Sequence, residues 1–169
     1  MNLFNAQHLA EPDRSAEVLK FTRSELFHRL FREGIELVEE TAAYLDGDGR
    51  SEARLLSRSV GLSYASESMK LTTRLMQLAS WLLVQRAVNE GNLMPEAVFE
   101  ARYRLAERVA TPEPLAGEMP VALVEYIVRA ERLYDRIHYL DQKMFVNIED
   151  PAPENGVLGQ MERLRAAFG

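Results

Sequence analysis

The sequence of 169 residues is long enough for one domain with a sizeable core, and its 47% hydrophobic and 27% charged residues are typical of a folded globular protein. The net charge of -6 argues against a general nucleic-acid-binding protein, because phosphate contacts need a basic surface. The absence of cysteine excludes disulfides, thiolate catalysis and cysteine-ligated zinc, and it suits a reducing cytoplasm. The longest apolar run, Leu75 to Val84, is too short to span a membrane, and the N-terminus does not read as a secretory signal.

The first predicted helix follows a flexible N-terminal segment, residues 1–21, and covers residues 22–45, with an earlier start near Asp13 or Ser15 as the alternative. Thr22 and Glu25 have the spacing of a capping box at its start. Gly34 within the apolar stripe predicts a close approach of another helix, because glycine otherwise only weakens a helix. Gly47 suits the left-handed position that follows a helix end.

Helix 2 is predicted from Ser51 or Glu52 to Asn89, with Gly91 as its stop, and a shorter helix 2b from about residue 95 to 109. A proline-rich loop over residues 111–120 leads to helix 3, residues 120–145. The fold class is therefore all-α: an antiparallel three-helix bundle with a shorter accessory helix between helices 2 and 3. The bundle covers residues 22–145, and residues 146–169 form a flexible C-terminal tail that ends in a short amphipathic turn.

Helix 2 carries two apolar rows on nearly opposite faces. The first has the spacing of a heptad seam, with a small residue (serine, threonine or alanine) four positions after each large one, which predicts packing inside the bundle. Its large members are Leu55, Leu62, Met69, Met76 and Leu83.

The second row of helix 2 must also be covered, because a surface helix of a small bundle has only one apolar face. Two interpretations stay open: the row is core beneath helix 2b, or it meets another protein chain. We expect a second copy of this chain to cover it, so the sequence predicts a homodimer face. That face comprises Tyr64, Leu71, Leu75, Leu78, Trp81 and Leu82.

Three basic residues of helix 2, Lys70, Arg74 and Arg86, are candidates for polar contacts with an acidic partner. The alternative interpretation is a solvated charged face with scattered ion pairs. Neither interpretation assigns them a catalytic role.

The candidates for chemistry are few. Glu25 with His28, and Asp135 with His138, have the spacing that di-iron bundles use, so a metal-binding helical-bundle enzyme is the alternative function. Such a metal site also needs further glutamates from another long helix, and no fourth long helix that carries them is evident. No nucleophile elbow, Walker-type or dinucleotide-binding pattern occurs in the sequence, which predicts no catalytic residue, cofactor or metal.

Two stretches of the chain resemble the RcdA family of alphaproteobacterial adaptors. They are YASESMKLTTRLMQLASWLLVQRAVNEG, residues 64–91, and LVEYIVRAERLYDRIHYLD, residues 123–141. The resemblance implies a three-helix bundle that forms a homodimer and acts without catalysis as an adaptor of the ClpXP protease. It further implies delivery of cell-cycle regulator substrates together with a CpdR-like adaptor and a PopA-like cyclic-di-GMP effector. The expected location is the cytoplasm, with recruitment to a cell pole, and no membrane or nucleic-acid partner is expected.

Overall fold

The computed structural model describes residues 14–108 and 118–145, and every regular element in these ranges is helical. The all-α fold class is thus confirmed. Within these ranges, five α-helices and two short 3-10 turns follow each other. They are α1 (Arg14–Thr22), α2 (Glu25–Asp46), α3 (Asp48–Ala53), α4 (Arg58–Asn89), the 3-10 turns Pro95–Phe99 and Ala101–Tyr103, and α5 (Val121–Phe145).

The predicted first helix is two helices in the structure. Thr22 is buried at the end of α1, where its hydroxyl donates a hydrogen bond to the Leu19 carbonyl at 3.1 Å. Ser24 caps α2 instead, because its side-chain oxygen accepts a hydrogen bond from the Phe27 amide at 3.2 Å. The capping box at Thr22 was therefore wrong. The prediction that residues 14–21 are flexible was wrong too, since they form α1 and bury Val18.

The predicted second helix is also interrupted. Residues 48–53 form the separate helix α3, and Ser57 then caps α4 by accepting a hydrogen bond from the Val60 amide. Gly47 has φ -110°, so the left-handed conformation predicted there is absent. Gly91, the predicted stop, does take a positive φ of 76°, which glycine adopts without steric cost.

The predicted helix 2b is replaced by the two 3-10 turns and an extended stretch around Arg104. This segment is held by tertiary contacts, because Val98 and Leu105 are buried and Arg104 pairs with α5. Such contacts override the weak local preference for helix. The predicted loop falls largely on residues 109–117, which lie outside the described residues, as do the N-terminal residues 1–13 and the tail, residues 146–169.

The relative directions of the three long helices follow from the residues that meet. In α2 and α5, Glu40 contacts Arg129 and Glu33 contacts Arg136, so the two helices are antiparallel. Helices α2 and α4 are also antiparallel. Gly34 in α2 lies against Leu82 near the end of α4, and Gly49, which follows α2, lies against Tyr64 near the start of α4.

Helices α4 and α5 run parallel to each other. Arg74 contacts Glu131, and further along both helices Trp81 contacts Asp141. The prediction of an antiparallel bundle was therefore wrong for this pair. The segment after α4 has to return along the bundle before α5 begins, which explains why it is long.

The core lies where α1, α2, α4 and α5 meet. Gly34 on α2 allows the closest approach, since a β-carbon at this position would collide with the Leu82 side chain of α4. The predicted close helix contact at Gly34 is thereby confirmed. The largest fully buried side chains are Trp81, Tyr134, Phe27, Leu30, Leu37, Leu78, Leu82, Leu123, Leu133 and Ile137. None of the helices in the described ranges has both the length and the apolar character needed to cross a membrane.

Candidate protein-interaction surface

The row predicted to be a dimer face lies in the interior of the single chain. None of its six residues is more than 7% exposed, because α1, α2 and α5 of the same chain cover this side of α4. A buried row cannot meet a second protein without unfolding the bundle. The assignment is therefore corrected to core for Tyr64, Leu71, Leu75, Leu78, Trp81 and Leu82.

The opposite row of α4 faces solvent. The exposed fractions are 68% for Leu62, 72% for Met69, 68% for Met76 and 51% for Leu83. We call these four residues the α4 outer row. Leu55, in the turn before α4, is 87% exposed at the same heptad position. The prediction that this row packs inside the bundle was wrong, because the described part of the chain leaves the row exposed.

Small residues fill the surface between the large side chains of the outer row. They occur in adjacent pairs that are exposed or half-buried, so no bulky group separates one large residue from the next. Such a surface lets the backbone of another helix come close while the large side chains fit beside it. The pairs are Ala65 with Ser66, Thr72 with Thr73, and Ala79 with Ser80.

The three basic candidates on α4 have different environments. Arg74 is largely buried, since its Nε donates to Glu131 at 3.0 Å and its guanidinium lies 3.9 Å from the centre of the Tyr134 ring. It belongs to the packing of α4 on α5. Lys70 and Arg86 lie on the surface and contact Glu67 at 2.9 Å and Glu90 at 2.7 Å, respectively. These two remain accessible to a partner, whereas Arg74 does not.

A buried polar network ties the segment after α4 to the core. The Asp141 carboxylate accepts hydrogen bonds from Trp81 Nε1 at 2.8 Å and from Arg104 at 2.6 and 3.0 Å. Trp81 belongs to the predicted dimer face, but it is buried in the structure, and its buried indole N–H needs this acceptor. No local pattern in the sequence predicts this pairing, because Arg104 and Asp141 lie on segments far apart in the chain.

A second cluster surrounds Tyr134 on α5. Its hydroxyl donates to the Ala106 carbonyl at 2.9 Å, and burial raises its pKa although Arg74 and Arg108 act in the opposite direction. The hydroxyl therefore stays protonated and serves as a donor. The ring also stacks with His138 at 5.6 Å between centroids, which assigns this histidine to packing.

The residues considered for a metal enzyme do not assemble a site in the described ranges. No three His, Asp or Glu side chains there come together in a way that could hold a metal ion. His28 is exposed and lies against Phe27, while Asp135 pairs with Arg108 at 2.7 Å. The geometry thus gives the metal alternative no support.

A shallow groove of about 480 Å³ separates α2 from α5. Two of the arginines along it are already neutralised, because Arg129 pairs with Glu40 and Arg136 with Glu33. Its charges are mixed, so it does not select one kind of ligand. The lining residues are Glu33, Leu37, Arg129, Arg132, Asp135 and Arg136.

Comparison with known proteins identifies the family of this chain. Residues 18–168 match a family described as a protein of unknown function (DUF1465). The crystal structure of RcdA from Caulobacter crescentus CB15 is 54% identical in sequence, with a TM-score of 0.64. The match covers 76% of this chain and 98% of the solved one. The chain therefore belongs to the family that includes RcdA, and the resemblance predicted from residues 64–91 and 123–141 is confirmed. A comparison with curated proteins finds no match.

Proposed function

We propose that the protein is a non-enzymatic adaptor that helps the ClpXP protease degrade cell-cycle regulatory proteins through protein–protein contacts. The α4 outer row carries the proposal, because large apolar side chains exposed side by side mark interaction surfaces. Membership of the family that includes RcdA supports the same function. The proposed partners are the protease, a CpdR-like adaptor, a PopA-like cyclic-di-GMP effector and the regulator substrates. The proposed location is the cytoplasm, with recruitment to a cell pole.

We further propose that the adaptor is a homodimer joined through the α4 outer row. From the midpoint between Thr72 and Thr73, similar residues recur at equal distances in both directions along α4. A helix surface with the same residue pattern in both directions along its axis can pair with an antiparallel copy of itself across a two-fold axis. The matching positions are Met69 with Met76, Ser66 with Ala79, Ala65 with Ser80, and Leu62 with Leu83.

The adaptor function is tested by reconstitution. Purified ClpXP, a CpdR-like adaptor and a fluorescent regulator substrate are mixed with and without this protein, and the rate of substrate loss is measured. We expect the wild-type chain to accelerate degradation. No acceleration, even when the PopA-like effector and cyclic-di-GMP are added, would refute the proposed function.

The same assay locates the interaction surface. Met69→Asp combined with Met76→Asp should abolish acceleration, because charges would lie at the centre of the outer row. Leu26→Asp is the matched control, since Leu26 is 47% exposed on α2 and lies off the α4 outer row. If the control loses as much activity as the double variant, the outer row has no special role.

The two-fold pairing has a separate test by sedimentation equilibrium. Met69→Lys with Met76→Glu places opposite charges face to face in the antiparallel dimer, whereas Met69→Glu with Met76→Glu places like charges together. The first variant should sediment as a dimer, with twice the chain mass of 19.3 kDa, and the second should sediment as a monomer. A parallel dimer would lose association with both variants, and a wild-type monomer would refute the dimer.

A further inference from the structure

A second groove, of about 610 Å³, lies at the end of the bundle where α5 begins. Its lining is largely apolar, and two of its side chains are among the most exposed large apolar residues of the described chain: Leu55 at 87% and Val121 at 82%. Apolar side chains exposed side by side indicate a binding surface rather than chance exposure. The apolar lining residues are Leu55, Leu56, Met119, Pro120, Val121 and Ala122.

The lining of this groove also contains acidic side chains. Glu52, Glu118 and Glu125 line it, and none of the three forms a salt bridge with a basic side chain in the described ranges. Glu52 accepts a hydrogen bond from the neutral Tyr44 hydroxyl at 2.8 Å, which leaves its charge uncompensated. The glutamates of the α2–α5 contact, by contrast, pair with arginines. The groove therefore favours a ligand that is both apolar and positively charged.

We propose that this groove binds the C-terminal segment of the same chain, residues 161–168. Of the three segments outside the described ranges, residues 1–13, 109–117 and 146–169, only the last contains Arg or Lys. Its two cations, Arg163 and Arg165, alternate with apolar residues. The apolar members Met161, Leu164 and Phe168 recur at spacings of three and four, which suits contact with the apolar lining of the groove.

The connecting chain is long enough for this contact. Helix α5 has 25 residues and is about 37 Å long, so Phe145 lies about that far from the groove. Residues 146–160 can span roughly 50 Å when extended. The segment can therefore return along the whole helix and reach the groove without strain.

The absence of cysteine permits a direct test by cross-linking. Val121→Cys with Leu164→Cys places one thiol in the groove and one in the segment, and a short bis-maleimide joins them when they are close. The control pair is Tyr139→Cys with Leu164→Cys. Tyr139 is 64% exposed and lies much nearer to Phe145, so a segment that does not bind the groove will react faster there.

The docked segment should link to position 121 at least about fivefold faster than to position 139, because docking raises the effective concentration of the two thiols. Addition of Glu125→Arg should remove this preference, and further addition of Arg163→Glu should restore it. Faster or equal linking at position 139 overturns the proposal. A product of twice the chain mass would assign the groove to another copy's segment and would overturn it as well.

This contact goes beyond the proposed adaptor function and is independent of it. The cross-linking uses the isolated full-length chain, without protease or substrate. A negative degradation assay would not contradict docking of the C-terminal segment. A negative cross-linking result would not contradict the proposed adaptor function.

Discussion

The buried carboxylate of Asp141 offers the sharpest test of how the structure is held together. Replacing it by asparagine preserves the size of the side chain and removes the charge. Asp141 is only 1% exposed, and its partner Arg104 is 17% exposed at the side chain, so water can hardly replace the lost charge. The guanidinium would remain largely buried after losing the carboxylate of Asp141.

The expected loss in the free energy of unfolding is about 3–5 kcal/mol, the usual cost of removing one partner from a buried ion pair. The Trp81 N–H keeps an acceptor in the amide oxygen, so its bond adds little to the loss. With a urea m-value of roughly 1.5 kcal/mol/M, the unfolding midpoint should fall by about 2–3 M. The measurement is urea unfolding followed by circular dichroism and by tryptophan fluorescence.

The matched control lies on the same helix. Asp135 pairs with Arg108 at 2.7 Å, but its side chain is 69% exposed, so Asp135→Asn should cost no more than about 1 kcal/mol. If Asp141→Asn costs as little as this control, the Asp141–Arg104 pair is solvated and the reasoning fails. Asp141→Leu combined with Arg104→Met should be less damaging than Asp141→Asn alone, because no charge is then left unpaired.

Three further predictions concern α4 and its neighbours. Gln85→Leu should raise the free energy of unfolding by about 1–2 kcal/mol in a denaturant titration, because both polar atoms of the buried amide have no hydrogen-bond partner among the described residues. Gly34→Ala should lower it by about 1–3 kcal/mol, since the new methyl group meets the Leu82 side chain, and an unchanged midpoint would show that the contact is loose. Leu71→Asp should unfold the chain, whereas Met69→Asp should leave the circular dichroism spectrum intact and weaken self-association in sedimentation. The reverse result would restore the originally predicted dimer face.

Local signals in the sequence were sufficient to predict α5 and the end of α4. Helix α5 is preceded by a proline at position 120, and its apolar residues form one continuous stripe along the helix. The end of α4 is marked by Gly91, which adopts the positive φ that glycine tolerates. Both features depend on residues close together in the chain, so they can be read without knowing the fold.

The choice between the two faces of α4 could not be made from the sequence. Both faces carry large apolar residues at helical spacing, and periodicity alone does not say which side the rest of the chain covers. Burial of Leu78 and exposure of Met76 depend on where α2 and α5 lie. The direction of α5 relative to α4 is likewise a tertiary property, set by contacts such as Trp81 with Asp141.

The parallel arrangement of α4 and α5 has a consequence for folding kinetics. Helices α2 and α4 are joined by a short connection and can pair early, because little chain entropy is lost in closing it. The contacts of α5 with α4 join residues 57 and 60 positions apart, so they must wait for the whole returning segment to be ordered. Formation of the bundle should therefore be slower than in a helical bundle of the same size with short turns. The docking of α5, rather than the formation of any helix, should limit the rate.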